Sequence, residues 1–250
     1  MHISFFEEFP SKENLAKIKY VSFPTKLYLA AHSLEEFDKI KISSPELKEK
    51  IYWPILQRKE GYWFSPFSQR KALQRVLQEI QKSSLPILWD AELPTHTNPL
   101  LYLTQAPFFL GNRRDIRNVI AQRKNISTAE YFPSSPLSER ILYILGLSFK
   151  TRNHFPIKMV YSSMHDFGES FIRKEIKQAK KIFGKRLHLG LGTLTHGIRG
   201  DEPAILPEIL ERDLGICKEL EIEEVILFRL GGMNKEYRKI ITPYAKQEHI

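Results

Sequence analysis

The sequence predicts a single closed (β/α)8 barrel of the TIM type. Short runs rich in β-branched and aromatic residues alternate with longer stretches whose apolar residues recur at helical spacing, the pattern of parallel βα units. Eight such units fit along the chain. Its 250 residues suit one barrel domain spanning 1–250, with no internal repeat and no linker.

Strands are expected at Ile3–Glu7, Leu27–Ala31, Ile51–Leu56, Ile87–Glu92, Ser127–Phe132, Lys158–Ser162, Leu187–Leu191 and Val225–Leu230. The helical pattern covers Ser11–Ile18, Leu34–Ile40, Ser68–Gln81, Asn98–Arg123, Pro136–Leu147, Glu169–Phe183, Leu206–Leu220 and Asn234–Tyr244. Ser11 and Ser33 stand where helices want N-caps, with acidic residues in the turns that follow, and Gly184 stands where a helix wants a C-terminal glycine. Lys41–Glu49 and Arg58–Ser65 read as loop insertions.

A hydrophobic content of 42% without low-complexity tracts marks a chain that folds around a core. The lone Cys217 excludes an internal disulfide and a cysteine-built zinc site. Met1–Pro10 carries Glu7 and Glu8 where a signal peptide needs basic and then apolar residues, and no apolar run reaches bilayer length. The expectation is a soluble, cytoplasmic chain with no membrane partner. A net charge of +9 raises nucleic acid as a partner. The lysines and arginines, however, cluster in Gln69–Lys82, Arg113–Lys124 and Arg173–Arg186, interleaved with apolar residues as on the solvated faces of outer helices. No nucleic-acid recognition motif accompanies them, so no such partner is expected.

In a barrel of this kind the chemistry sits at the carboxyl ends of the strands. The segment Leu85-Pro86-Ile87-Leu88-Trp89-Asp90-Ala91-Glu92-Leu93-Pro94 is the most informative there. Side chains alternate along a strand, so Leu88, Asp90 and Glu92 share the interior face while Ile87, Trp89 and Ala91 face the helices. The interior column thus turns acidic at the mouth, with two carboxylates roughly 6–7 Å apart along the backbone. Like charges in a partly buried site push one pKa up, which leaves a protonated carboxyl beside an ionised one, the makings of a general acid. Bonds from both acids to backbone amides or basic neighbours are the structural alternative.

Asp90-Ala91-Glu92-Leu93-Pro94 resembles the end of the fourth-strand signature D-x-x-D-x-D-x-E of chitinase-type (family 18) glycoside hydrolases. Met159-Val160-Tyr161 is similar to the start of their sixth-strand Met-x-Tyr-Asp motif. The resemblance implies Glu92 as the acid that protonates the glycosidic oxygen. It implies Asp90 as the group that orients an acetamido substituent and shares a proton with Glu92, and Tyr161 as support for an oxazolinium-like intermediate. Leu85 and Leu88 stand in place of the first two aspartates and Ser162 in place of the aspartate after the tyrosine, and no tryptophan lies near Arg229 at the eighth strand.

Other strand ends add candidates for substrate binding: Glu7 with Glu8, Glu130, His165, His196 and Arg229. Trp53, with Tyr62, Trp63 and Phe64 of the aromatic run Gly61–Phe67, offers flat faces for a pyranose ring; a lid packed over the barrel explains the run equally well. Arg229 either binds an anion or balances Asp90. Gly190, Gly192, Gly231 and Gly232 read as phosphate-approach glycines or as tight turns. Asp201 or Glu202 can serve as a nucleophile opposite Glu92, or cap the helix after Pro203.

The functional expectation is a glycoside hydrolase-like enzyme acting on a carbohydrate or other small polar substrate, without cofactor or bound metal. A metal-dependent sugar or sugar-phosphate isomerase using Glu92, Glu130, His165 or His196 is the alternative, and a catalytically silent carbohydrate-binding relative is a third reading. Oligomeric state is left open.

Overall fold

A computed structural model describes residues 1–132 and 135–246. Eight strands close into a barrel in chain order. They are β1 (His2–Glu7), β2 (Thr25–Ala31), β3 (Leu47–Pro54), β4 (Ile87–Asp90), β5 (Ile126–Tyr131), β6 (His154–Val160), β7 (His188–Leu191) and β8 (Glu224–Phe228). The α-helices are α1 (Lys12–Leu15), α2 (Leu34–Lys39), α3 (Arg70–Lys82), α4 (Leu101–Thr104), α5 (Phe109–Gln122), α6 (Pro136–Leu145), α7 (Glu169–Phe183), α8 (Pro207–Glu219) and α9 (Lys235–Ile241). Among the described residues, no helix is long and apolar enough to cross a membrane.

Several boundaries depart from the sequence expectation for identifiable reasons. The single helix expected over Asn98–Arg123 is broken into α4, a 3-10 turn at Ala106–Phe108, and α5. Pro107 lies in that turn, and proline lacks the N–H an unbroken helix would need. Residues Leu47–Glu49, read as part of an insertion, belong to β3; their charged side chains fit because this end of the strand is not buried. Gly146, at φ 72°, ends α6 in a left-handed cap and turns Leu147 out of the helix. The expected caps at Ser11 and Ser33 form, accepting from the amides of Asn14 and Glu36 at 3.2 Å. Strands β4, β6 and β8 end at Asp90, Val160 and Phe228, which leaves Glu92, Tyr161 and Arg229 in the first residues of the loops beyond.

Contacts group the chain into two compact units, one of Met1–Ala30, Ile40–Ile51 and Ile157–Ile250, the other of Ala31–Lys39 and Tyr52–Pro156. In the first, β1 pairs in parallel with β2 and β8, and β7 pairs with β6 and β8. Phe5, Leu27, Leu189 and Leu227 are fully buried there. In the second, Tyr52 of β3 pairs with Ile87 of β4, and β4 runs beside β5 with Asp90 opposite Ala129. Phe37 of α2 packs on the Tyr52 ring at 5.2 Å, and the Tyr52 hydroxyl donates to Glu79 of α3 at 2.6 Å.

The amino ends of the first unit's strands hold a polar cluster that sequence reading did not single out. Glu224 accepts from Ser4 Oγ at 2.7 Å and Lys26 Nζ at 2.9 Å, with His188 Nδ1 at 3.9 Å. Burial pushes the His188 imidazole below its ordinary 6.5, against the pull of Glu224. Burial alone would raise the Glu224 carboxyl, but His188, Lys26 and the Ser4 hydrogen bond together hold it below the usual carboxylate range. The unfolded chain therefore takes up a proton that folded His188 resists, and stability falls as pH drops below 6.5. Glu224 adds stability that is present above the ordinary carboxylate range and lost as pH falls through its lowered value. Urea unfolding midpoints are expected to decline from about pH 7 to about pH 5, and His188→Gln should flatten the upper part of that decline.

Candidate active site

Cross-strand pairing decides which side chains of the second unit face the barrel interior. Tyr52 points outward to α3, so its partner Ile87, and Trp89 two residues on, point outward as well. Leu88 and Asp90 then point inward, and so does Ala129, which pairs with Asp90, and Tyr131 two residues further. Leu88 is fully buried and Asp90 is 4% exposed. The Asp90 carbonyl accepts from Phe64 N at 2.9 Å, and Ala91 N donates to Ala129 O at 2.9 Å, which fixes the strand end from both sides.

Glu92 follows one residue beyond this anchor and is half-buried. The Tyr131 hydroxyl accepts from Leu93 N at 3.3 Å and so ties the end of β5 to the loop that carries Glu92. Burial pushes the Tyr131 phenol up, and the negative charges of Glu92 and then Asp90 push it further, against the Leu93 hydrogen bond. An inward acid, Asp90, and a phenol that stays protonated are therefore set at the ends of β4 and β5, with Glu92 in the loop that this phenol holds. Tyr131 is the residue sequence reading missed. Its neighbour Glu130 drew attention as an acid, but Glu130 lies on the opposite face of β5, wholly buried. There it accepts from Thr128 Oγ1 at 2.6 Å and stands 3.7 Å from His154 Nε2.

The aromatic run after β3 is packed rather than open. Phe64 stacks on Trp89 with centroids 4.2 Å apart, Tyr62 and Trp63 meet edge to face at 5.1 Å, and Trp53 is 2% exposed. These aromatic faces are taken up by protein packing, and Phe64 lies against Trp89 on the outward face of β4. Gly61 makes the turn that starts it, at φ 122°, a conformation glycine adopts without strain.

In the first unit, Glu7 is fully buried at the end of β1. It accepts from Arg229 Nη1 at 3.0 Å, Phe9 N at 2.8 Å and Gly231 N at 2.7 Å. Burial pushes its carboxyl up against the charge of Arg229 and these hydrogen bonds. Arg229 also donates from Nε to His196 O at 2.8 Å and lies over the Phe9 ring at 4.8 Å. Glu7 and Arg229 therefore clamp the ends of β1 and β8 together, and the partner that Arg229 balances there is Glu7. The Gly231 amide is held by Glu7, and a Cβ on Gly232 would come within 2.4 Å of Leu194 O, so close packing is what these glycines serve.

Tyr161 is half-buried beside Phe228, with ring centroids 6.1 Å apart. His165 is exposed and lies against the Phe167 ring. His196 is exposed, with Nδ1 2.5 Å from Glu202 O. Glu202 does not cap α8: its carboxylate accepts from the amides of Gly197, Arg199 and Gly200 at 3.0–3.3 Å and closes its own loop. Asp201 is exposed and pairs with Arg199 at 3.4 Å. Among the described residues, no group of three or more His, Cys, Asp or Glu side chains is gathered to hold a metal ion, so the isomerase ligand set is not assembled there.

The fold is shared with barrels of known structure, one of them a glycoside hydrolase domain. The chain matches the PgaB (BpsB) glycoside hydrolase domain from Bordetella bronchiseptica with a TM-score of 0.57 and 11% identity, covering 99% of each chain. It matches the spore cortex-lytic enzyme SleL of Bacillus cereus at a TM-score of 0.53 and 11% identity, over 98% of this chain and 74% of the other. For SleL of Bacillus megaterium QM B1551 the values are 0.52 and 12%, over 100% and 75%. Identities this low speak to the fold alone. No protein-family model matches the sequence, and no curated protein does.

Proposed function

We propose that the chain is a glycoside hydrolase that cleaves a carbohydrate, with Glu92 as proton donor and Asp90 as its electrostatic partner. The observation that carries this reading is that Asp90 shares the inward face with Tyr131, whose hydroxyl accepts from Leu93 N at 3.3 Å in the loop that carries Glu92 at the carboxyl end of β4. A protonated group beside two carboxylates can donate a hydrogen bond to one of them and so favour the ionised form of that acid over the other, splitting the roles that acid catalysis needs. The fold shared with the PgaB glycoside hydrolase domain supports a carbohydrate as substrate. The family 18 motif implies an acetamido sugar, with Asp90 placed to orient that group.

Leu88 favours a second reading. It is fully buried where the signature has an aspartate, and a site without that acid can bind sugar without cleaving it. Incubation with N-acetylated oligosaccharides and mass-spectrometric detection of shortened products separates the two: products that depend on Glu92 support the hydrolase, and calorimetric binding without products supports the silent relative. Tyr131→Phe is expected to lower kcat about tenfold to a hundredfold while leaving KM near its original value, because the phenol tunes the acids without holding the sugar. A KM change alone would contradict that role.

A further inference from the structure

Helix α6 turns much of its apolar surface outward. Its outward face carries Leu137, Ile141 and Ile144, at positions i, i+4 and i+7, exposed by 67%, 48% and 49%. Its one buried residue is Glu139, whose carboxylate accepts a hydrogen bond from Ser148, while Leu142, Tyr143 and Leu145 are half-buried. An amphipathic helix on a barrel normally does the reverse. Helix α5 lies alongside, with Arg117 donating to Tyr143 O and its guanidinium 4.1 Å over the Tyr143 ring. At the start of α5 stands Leu110, 72% exposed, and just before it in the chain Leu100 and Leu103 are exposed as well. Seven of the ten large hydrophobic side chains exposed among the described residues thus fall between residues 100 and 144.

The charge around these residues is predominantly positive. Arg114, Arg140 and Lys150 are exposed, and Arg113 and Arg117 are half-buried between α5 and α6. Burial, and then Arg113 as a like charge, lower the Arg117 pKa, so cations here crowd one another. The acids on these elements are occupied: Asp115 pairs with Arg114 at 3.5 Å, and Glu139 is buried.

Aliphatic side chains rimmed by arginine and lysine are complementary to a surface that is apolar just below a layer of negative charge. A second copy of the chain would set like charges against like across an isologous contact, which argues against self-association as the use of this face. We propose that α6, together with the start of α5 and the α4 segment, docks the protein on an anionic phospholipid surface. The helices lie in the headgroup region and none crosses it. The same connection from β4 to α5 carries Glu92 at its beginning and Leu100 and Leu103 further along, so this surface adjoins the loop of the acid pair.

Sedimentation of the full chain with vesicles tests the proposal. Binding is expected to vesicles of phosphatidylcholine mixed with phosphatidylglycerol and not to phosphatidylcholine alone, and to weaken as salt rises. Arg114→Gln combined with Arg140→Gln should weaken it by roughly fivefold for each arginine. Ile141→Ser combined with Ile144→Ser should weaken it by about tenfold or more. These side chains are exposed, so the variants should melt like the parent, and Ile182→Ser, exposed on α7, should bind as the parent does. Equal binding to both vesicle types overturns the proposal. So does a chain that stays in the supernatant with both, the outcome an acidic protein partner would give, and so does an α6 variant whose only change is the loss of a dimer.

Discussion

Glu92→Gln is expected to lower turnover of an unactivated oligosaccharide by about 10²–10⁴-fold, the range a positioned general acid contributes. Glutamine keeps the side chain's length and its capacity to accept a hydrogen bond, so the strand end held by Phe64 N and Ala129 O should be undisturbed. A nitrophenyl glycoside provides the internal control. Its leaving group departs without being protonated, so the same substitution should cost far less on that substrate. Damage to the fold would depress both substrates alike. Asp90→Asn should depress both as well, because its charge bears on the reacting centre whatever the leaving group is. The acid must be protonated to act, so the basic limb of the kcat/KM profile belongs to it.

Arg229→Met is expected to cost about 3–5 kcal/mol of stability, the usual result of stripping the counter-ion from a buried charge. Glu7 would keep the amides of Phe9 and Gly231 but lose its one cationic hydrogen-bond partner among the described residues, in a place with no access to water. The sign of the pH effect follows. A carboxyl whose folded pKa is raised binds its proton more tightly in the folded state, so its protonated form favours folding at low pH and that stability is lost as pH rises through the raised value. The difference in unfolding free energy between Arg229→Met and the parent should therefore shrink as pH falls toward the ordinary carboxylate range. Glu7→Gln combined with Arg229→Met should recover part of the loss, because no ion is left buried. Urea titration of the three proteins measures all of this.

The alternation of apolar periods was enough to read the barrel and most of its elements, since strand and helix periods differ and each has eight occurrences to average over. The acid at the end of the fourth strand was legible for the same reason: Leu88 and Asp90 share a parity that the pairing of β4 with its neighbours bears out. Tyr131 was not. In Ile126–Tyr131 both parities mix polar and apolar residues, so nothing in that strand alone says whether Glu130 or Tyr131 faces inward; the pairing of Asp90 with Ala129 decides it. The bond between Glu7 and Arg229 joins residues 222 apart in sequence and becomes visible once β1 and β8 are neighbours. The outward face of α6 escaped notice because a helical apolar period tells that a stripe exists and leaves open which side of the helix meets the core.

The pH dependence of kcat/KM on an N-acetylated oligosaccharide, measured for the parent and for Glu92→Gln, tests the central claim most directly. The parent should show activity falling on the basic side, and the variant should retain only a residue of that activity with the basic limb gone. An unchanged profile and undiminished cleavage in Glu92→Gln would contradict the assignment of this carboxyl as the proton donor.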